Sequence, residues 1–242
     1  MAQQRHIRVQ DLGLIDYQAA WELQALLFRQ AIDRKLANRK RSDKEKEPIQ
    51  HHLLFCEHPP VYTLGKSGKL HNLLLSEEGL AQRGIQFVKT NRGGDITFHG
   101  PGQVVGYPIL DLHEFFTDIH KYMRFLEEVI IRTLAEYGLR GDRLEGATGV
   151  WLDPEDPEQA RKICALGVRC SRWVTMHGFA LNVNTDLSYF DHIIPCGIDD
   201  KAVTSLQQEL GQPIDREEVK EKLSRHMEGV FEAQLLATTK LT

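Results

Sequence analysis

Two apolar runs, Ala160 to Val168 and Trp173 to Val183, are separated only by Arg169-Cys170-Ser171-Arg172. A link this short suits a hairpin, because parallel strands need a crossover of a dozen or more residues. The C-terminal half of the chain is therefore expected to contain a pair of antiparallel strands. Further strand candidates are His52 to Cys56, Val61 to Leu64, Ile85 to Lys89, Val104 to Leu110 and Gly149 to Leu152. Helical signals stand between them without strict alternation. The pattern predicts an α+β fold, a mixed and largely antiparallel sheet with helices packed on it.

The helices announce themselves by caps and periodicity. Asp16 precedes Tyr17, Ala20, Leu23, Leu27 and Ala31, which recur at helical spacing and predict a helix from about Tyr17 toward Ala37. Ser76 opens a short helix that Gly84 ends. Asp118 caps a longer one with Ile119, Tyr122, Leu126, Val129, Thr133 and Tyr137 on one face, ending at Gly138. Asp215 with Glu218 has the form of a capping box before Val219, Leu223, Met227 and Val230.

The 242 residues carry a net charge of −4, and 41% of them are hydrophobic. That balance suits a globular domain and argues against a nucleic-acid binder. No apolar run approaches the ~20 residues of a membrane span, and the start has no signal-peptide core, so a cytoplasmic protein is expected. The four cysteines, Cys56, Cys164, Cys170 and Cys196, lack Cys-x-x-Cys spacing. Neither a structural zinc site nor a disulfide framework is expected.

Two segments could carry chemistry. Pro195-Cys196-Gly197 places a thiol in a loop, between a stiff residue and a permissive one. Cys56 reads as core and Cys170 as exposed in the hairpin loop. Lys162 alternates with Cys164 in an apolar strand, and period-two geometry would put both on one sheet face. Lys162 could snorkel from a sheet edge, or it could be a partly desolvated base able to take a thiol's proton. The second segment, Arg92-Gly93-Gly94-Asp95-Ile96-Thr97-Phe98-His99-Gly100-Pro101-Gly102-Gln103, is a polar, glycine-rich binding-loop candidate. It is neither a Walker loop nor a dinucleotide fingerprint. His99 and His177 can be read as plain hydrogen-bonding residues, and no spacing among the histidines demands a metal.

Taken together and in order, Glu57 to Gly65, Arg92 to Gln103, Lys162 to Gly167, His177 to Asn182 and Pro195 to Ile198 resemble the lipoyl(octanoyl) transferase family. The likeness runs from about Ile7 to the last helix. It implies the fold of the biotin/lipoate protein ligase catalytic domain, as one domain over residues 1–242. It further implies transfer of an octanoyl group from octanoyl-acyl carrier protein to a lysine of lipoyl domains. The acceptors would be 2-oxoacid dehydrogenases and the glycine cleavage H protein. By the same resemblance Cys196 is the acyl-thioester nucleophile and Lys162 its base. Substrate would be lined by Arg92, Gly93, Gly94, Asp95, Ile96, Thr97, Phe98 and His99, together with Ala165, Leu166, Gly167, Gly178, Phe179 and Ala180. No cofactor or metal, no nucleic acid, no membrane and a monomeric state are expected.

Two departures stand out. Many members carry tyrosine where this chain has Phe98, and the charged insert Arg34 to Glu47 is longer than expected. Its basic residues, Arg34, Lys35, Arg39, Lys40, Arg41, Lys44 and Lys46, could steer an acidic carrier. Interleaved Asp43, Glu45 and Glu47 make a solvated charged loop the other reading. The competing functions are an ATP-dependent lipoate or biotin ligase, a thioester hydrolase and a binding module without catalysis.

Overall fold

The computed structural model describes residues 4–194 and 202–237. Its strands are β1 (Arg5–Leu14), β2 (His51–Glu57), β3 (Val61–Leu64), β4 (Gln86–Lys89), β5 (Ile96–His99) and β6 (Gln103–Ile109). They continue as β7 (Gly141–Leu144), β8 (Ala147–Leu152), β9 (Arg161–Ser171), β10 (Val174–Asn182), β11 (Ala202–Val203) and β12 (Ala233–Ala237). The helices are α1 (Tyr17–Asn38), α2 (Glu77–Gln82), α3 (Ile119–Ala135), α4 (Leu206–Leu210) and α5 (Arg216–Phe231).

Among the described residues the main sheet runs β12-β1-β2-β6-β10-β9-β8-β7, with β11 beside β9. Its centre is antiparallel, while β12-β1, β1-β2 and β11-β9 are parallel. Period-two alternation sends Leu53, Phe55, Val104 and Leu181 into a core under α3 and α5. Leu54, Cys56, Val105 and Tyr107 go into a second core under α1. Both faces are covered, which is why these strands read as unbroken apolar runs. A smaller sheet, β4-β3-β5, sits over a third cluster built on Tyr62, Ile96, Phe98 and Ile193.

The expected α+β architecture is present. Asp16, Ser76 and Asp118 cap their helices as expected, and Gly84 and Gly138 lie just beyond the ends in left-handed conformation. The hairpin β9–β10 is antiparallel, but it turns at Arg172-Trp173, both at positive φ, with Ser171 opposite Val174. That is the two-residue turn whose twist suits a hairpin. Cys170 therefore belongs to β9 opposite Thr175 and is half-buried, not exposed in a loop. Asp215 caps α5, while Glu218 binds Lys222 at 2.8 Å instead of closing a capping box. β1, β7, β11 and β12 had no counterpart in the sequence reading, and β5 lies within the segment read as a loop.

Helix α1 places the charged insert. Its 22 residues span roughly 33 Å. Tyr17 marks one end and the insert the other. The insert folds on itself: Arg34 and Arg41 both reach Glu47, and Lys46 reaches Asp43 at 2.6 Å. Near that end, buried Lys35 donates to Asp111 at 2.5 Å and to the Arg172 carbonyl at 2.8 Å, tying α1 to the hairpin. Among the described residues, no helix is long and apolar enough to cross a membrane.

Removing one member of a buried ion pair strands the other charge. Lys35→Met should lower the unfolding free energy by about 3 kcal/mol in urea titrations, and a second change, Asp111→Leu, should recover part of it. An additive double mutant would show that the pair is not coupled.

Candidate active site

A cavity of about 230 Å³ opens between the small sheet and the strands β9 and β10. Its floor is Ala165, Leu166, Gly167, Gly178, Phe179 and Ala180, all expected as substrate-lining residues. Arg92, Gly94, Asp95, Ile96, Thr97 and His99 form one wall, and Lys162 stands at the rim of the same space. Gly93 and Phe98 do not line it. The Gly93 N–H instead bonds the Val168 carbonyl at 2.9 Å and pins the wall onto β9. Phe98, between Thr97 and His99 on β5, turns to the other side and stacks on Tyr189 at 4.5 Å. The phenylalanine at this position therefore backs the wall and does not contact the cavity.

Arg92 is 7% exposed. Its guanidinium donates to the Thr63 carbonyl at 2.6 Å, the Thr63 hydroxyl at 2.8 Å and the Gly93 carbonyl at 3.0 Å. The close approach depends on Gly167, where a Cβ would lie 2.9 Å from the Gly93 oxygen and 3.2 Å from Arg92 Cδ.

Lys162 is half-buried, with Nζ 4.5 Å from the Trp151 ring centroid. A register shift in the β8–β9 pairing separates Lys162 from Cys164: Val150 faces Cys164 and Trp151 faces Lys162. The extra residue, Ile163, interrupts the alternation, so Ile163 and Cys164 both enter the main core while Lys162 faces the cavity. The expectation that Lys162 and Cys164 share a face is corrected here. Gly149, at φ +131°, leaves the space that Lys162 Cε occupies, since a Cβ there would come within 3.2 Å.

Burial pushes the thiols of Cys56 and Cys164 well above the usual range, and that of half-buried Cys170 upward too. None of the three lines the cavity. Cys196 and Gly197 lie outside the described residues. Of the described residues on either side of 195–201, Val203 lines the cavity. Ile193 pairs with Leu73, the Ile194 N–H bonds the Asn72 carbonyl at 2.8 Å, and Val203 pairs with Lys162.

The polar lining forms a network that the sequence reading did not assemble. His99 Nδ1 donates to Gln103 Oε1 at 2.8 Å, and Gln103 Nε2 donates to Asn182 Oδ1 at 2.9 Å. Asn182 Nδ2 then reaches the Thr204 carbonyl at 3.0 Å, and the Thr204 N–H reaches the Lys162 carbonyl at 2.9 Å. His58 donates from Nδ1 to the Ile15 carbonyl and accepts from the Tyr107 hydroxyl, each at 2.8 Å. The Tyr17 ring stacks on His99 at 5.8 Å. His177, at φ +59°, donates from Nε2 to Asn91 at 2.8 Å, leaving a buried Nδ1 acceptor with no partner among the described residues. Tyr17 and Tyr107 were missed because they also fit ordinary core patterns. Gln103 and Asn182 stood in recognised segments without an assigned role.

Among the described residues no group of three His, Cys, Asp or Glu side chains is placed to hold a metal ion. Desolvation lowers His58 to about 4 and His177 to about 3, and holds His99 well below the ordinary histidine value. Arg92 adds to the effect on His177 and His99.

The profile of the lipoyl protein ligase A/B catalytic domain family matches residues 16–228, and the chain belongs to that family. Within it, the octanoyltransferase of Flavobacterium johnsoniae is 60% identical over 96% of this chain and 99% of its own length. That of Cytophaga hutchinsonii is 55% identical over 98% of each. The chain thus sits among the octanoyltransferases and is an acyltransferase. Two solved structures share the fold at low identity. Lipoate-protein ligase A bound with ATP has TM-score 0.69 and 14% identity, covering 98% of this chain and 90% of that one. The bipartite lipoate protein ligase of Thermoplasma acidophilum has TM-score 0.67 and 15% identity, covering 98% and 88%.

The unfolded chain protonates its histidines near pH 6.5, whereas His58, His99 and His177 stay neutral in the fold well below that. Unfolding therefore takes up protons as pH falls below 6.5, and stability present above that pH is lost toward the folded values. Each group costs about 1.4 kcal/mol per pH unit in that window. His177→Asn should reduce the acid-side slope of unfolding free energy by about one proton's worth. An unchanged slope would remove His177 from the set.

Proposed function

We propose that this chain transfers an octanoyl group from octanoyl-acyl carrier protein to a lysine of a lipoyl domain, through an acyl-Cys196 intermediate with Lys162 as the base. The observation that carries the reading is the juxtaposition of Lys162 with a small cavity floored by Leu166, Phe179 and Ala180. Of the described residues flanking the Cys196 segment, Val203 lines that cavity beside Lys162, and Ile194 bonds Asn72, which donates to Asp95 of the cavity wall. The buried state of Cys56 and Cys164 leaves them poor nucleophiles, which adds support for Cys196.

Neutral Lys162 takes the Cys196 proton, and the thiolate attacks the thioester carbonyl. The carbon–sulfur bond to the carrier breaks, and the departing thiolate takes the proton back from Lys162. The lipoyl-domain amine then attacks the acyl-Cys196 carbonyl. Its proton passes by way of Lys162 to the Cys196 sulfur as that carbon–sulfur bond breaks. An amide replaces a thioester, so the second half runs downhill and no ATP is consumed. The Trp151 ring beneath Lys162 Nζ stabilises the ammonium formed between the transfers. In the Thermoplasma acidophilum structure the ligase is described with its E2 lipoyl domain, which agrees with a lipoyl-domain acceptor here.

Brief incubation with octanoyl-carrier protein, without ATP, should leave a hydroxylamine-labile octanoyl adduct on the intact protein, absent from Cys196→Ala. Lys162→Met should slow adduct formation by ~10²–10⁴. Transfer that appears only with free octanoate and ATP would move the chain to the ligase branch. Full transfer by Cys196→Ala would end the acyl-cysteine mechanism.

A further inference from the structure

From His58 to Ser76 the chain carries no acidic residue, while Lys66, Lys69 and His71 fall within it. The loop after β3 is fixed to the cavity wall at several points. The Lys66 N–H bonds the Arg92 carbonyl at 2.9 Å, and the Ser67 N–H bonds the Gly94 carbonyl at 3.2 Å. Asn72 donates to Asp95 at 2.6 Å. The loop also meets the chain just before residue 195, where the Leu74 N–H bonds the His192 carbonyl at 2.9 Å. It is therefore a rigid part of the cavity surround.

Its outer surface has an unusual combination of side chains. Leu70 and Leu74 are each 56% exposed. Lys66, Lys69 and, from the adjoining end of β4, Lys89 are exposed as well. The lysines that pair with carboxylates among the described residues are Lys35, Lys46, Lys220 and Lys222, none of them here. Asp95, on the adjoining cavity wall, accepts from N–H donors of Asn72, Ile96 and Lys69. The charged insert has acids of its own on Arg34, Arg41 and Lys46, and although it keeps exposed cations at Arg39, Lys40 and Lys44 it lies at the far end of α1 from Tyr17 and the cavity.

We propose that Lys66, Lys69, Leu70, Leu74 and Lys89 form the docking face for the acyl donor's carrier, a small acidic protein that brings its thioester on a flexible arm. The proposal rests on the octanoyl-transfer reading above. Uncompensated cations beside the cavity steer an acidic body, and the two leucines supply apolar contact once it arrives. A carrier seated there adjoins the Arg92–Asp95 wall of the cavity that its arm must enter. The face thereby replaces the insert as the place where charge guides the donor.

The test uses the full chain with Lys66→Glu/Lys69→Glu and, separately, Leu70→Ser/Leu74→Ser. Acylation is measured with octanoyl-carrier protein and with octanoyl-pantetheine, which has the arm but no protein body. Transfer from the preformed acyl-enzyme to a lipoyl domain is measured in parallel. Charge reversal should lower kcat/KM for the carrier at least ~10-fold and flatten its salt dependence. The leucine variant should lower it without changing the salt slope. Pantetheine acylation and the second transfer should stay within about twofold for both. Equal losses with both donors would make the loop a cavity support, and a loss confined to the second transfer would assign the face to the acceptor. Either result, or no loss, overturns the proposal. Failure of the unaltered protein to be acylated by either donor would instead defeat the octanoyl-transfer reading.

Discussion

The buried Arg92 guanidinium is the contact on which the site depends. It belongs to the segment linking β4 to β5, bonds Thr63 on β3 and lies against Gly167 on β9. With the Gly93 bond to Val168, it joins the small sheet to the main one and leaves the cavity between them. Burying a cation is costly unless its donors are used. Here the Gly93 and Thr63 oxygens take up donors from both terminal nitrogens. The same charge opposes protonation of His99 and His177. A cation that closes the wall thus adds to the desolvation that keeps these two histidines neutral.

Lys162 is held from the opposite side. The chain His99–Gln103–Asn182–Thr204 crosses from the wall to the residue after β11, and Thr204 bonds the Lys162 backbone. The side chain takes its direction from the irregular β8–β9 pairing and its space from Gly149. A β-bulge re-aims one side chain out of the sheet's alternation. Without it, Lys162 would lie on the face that Cys164 occupies, in the apolar core.

What could be read from the sequence was local. Caps at Asp16, Ser76, Asp118 and Asp215 act within a few residues, so the helices they open were legible. The hairpin was legible because its two strands adjoin. β1 and β12 pair with each other from opposite ends of the chain, and neither carries a signal of that partnership. The bulge was invisible for a related reason, since it is a property of the pairing and not of β9 alone. Motif segments identified most of the cavity lining, yet period two within β5 placed Phe98 behind the wall. Tyr17 and Tyr107 read as core because they are core, and they line the cavity as well.

Charge needs the same distinction between composition and placement. The insert holds the densest run of lysine and arginine in the chain, and sequence alone makes it the natural site of electrostatic steering. Folding decides otherwise. Arg34 and Arg41 converge on Glu47, Lys46 turns to Asp43, and Lys35 is drawn into the interior by Asp111. Opposite charges so close cancel each other's field beyond about 10 Å at ordinary ionic strength. Arg39, Lys40 and Lys44 stay exposed, so the insert's field is reduced and not removed. Such fields are short-ranged, so place decides more than number: the basic loop after β3 is bonded to the cavity wall, and the insert lies at the far end of α1.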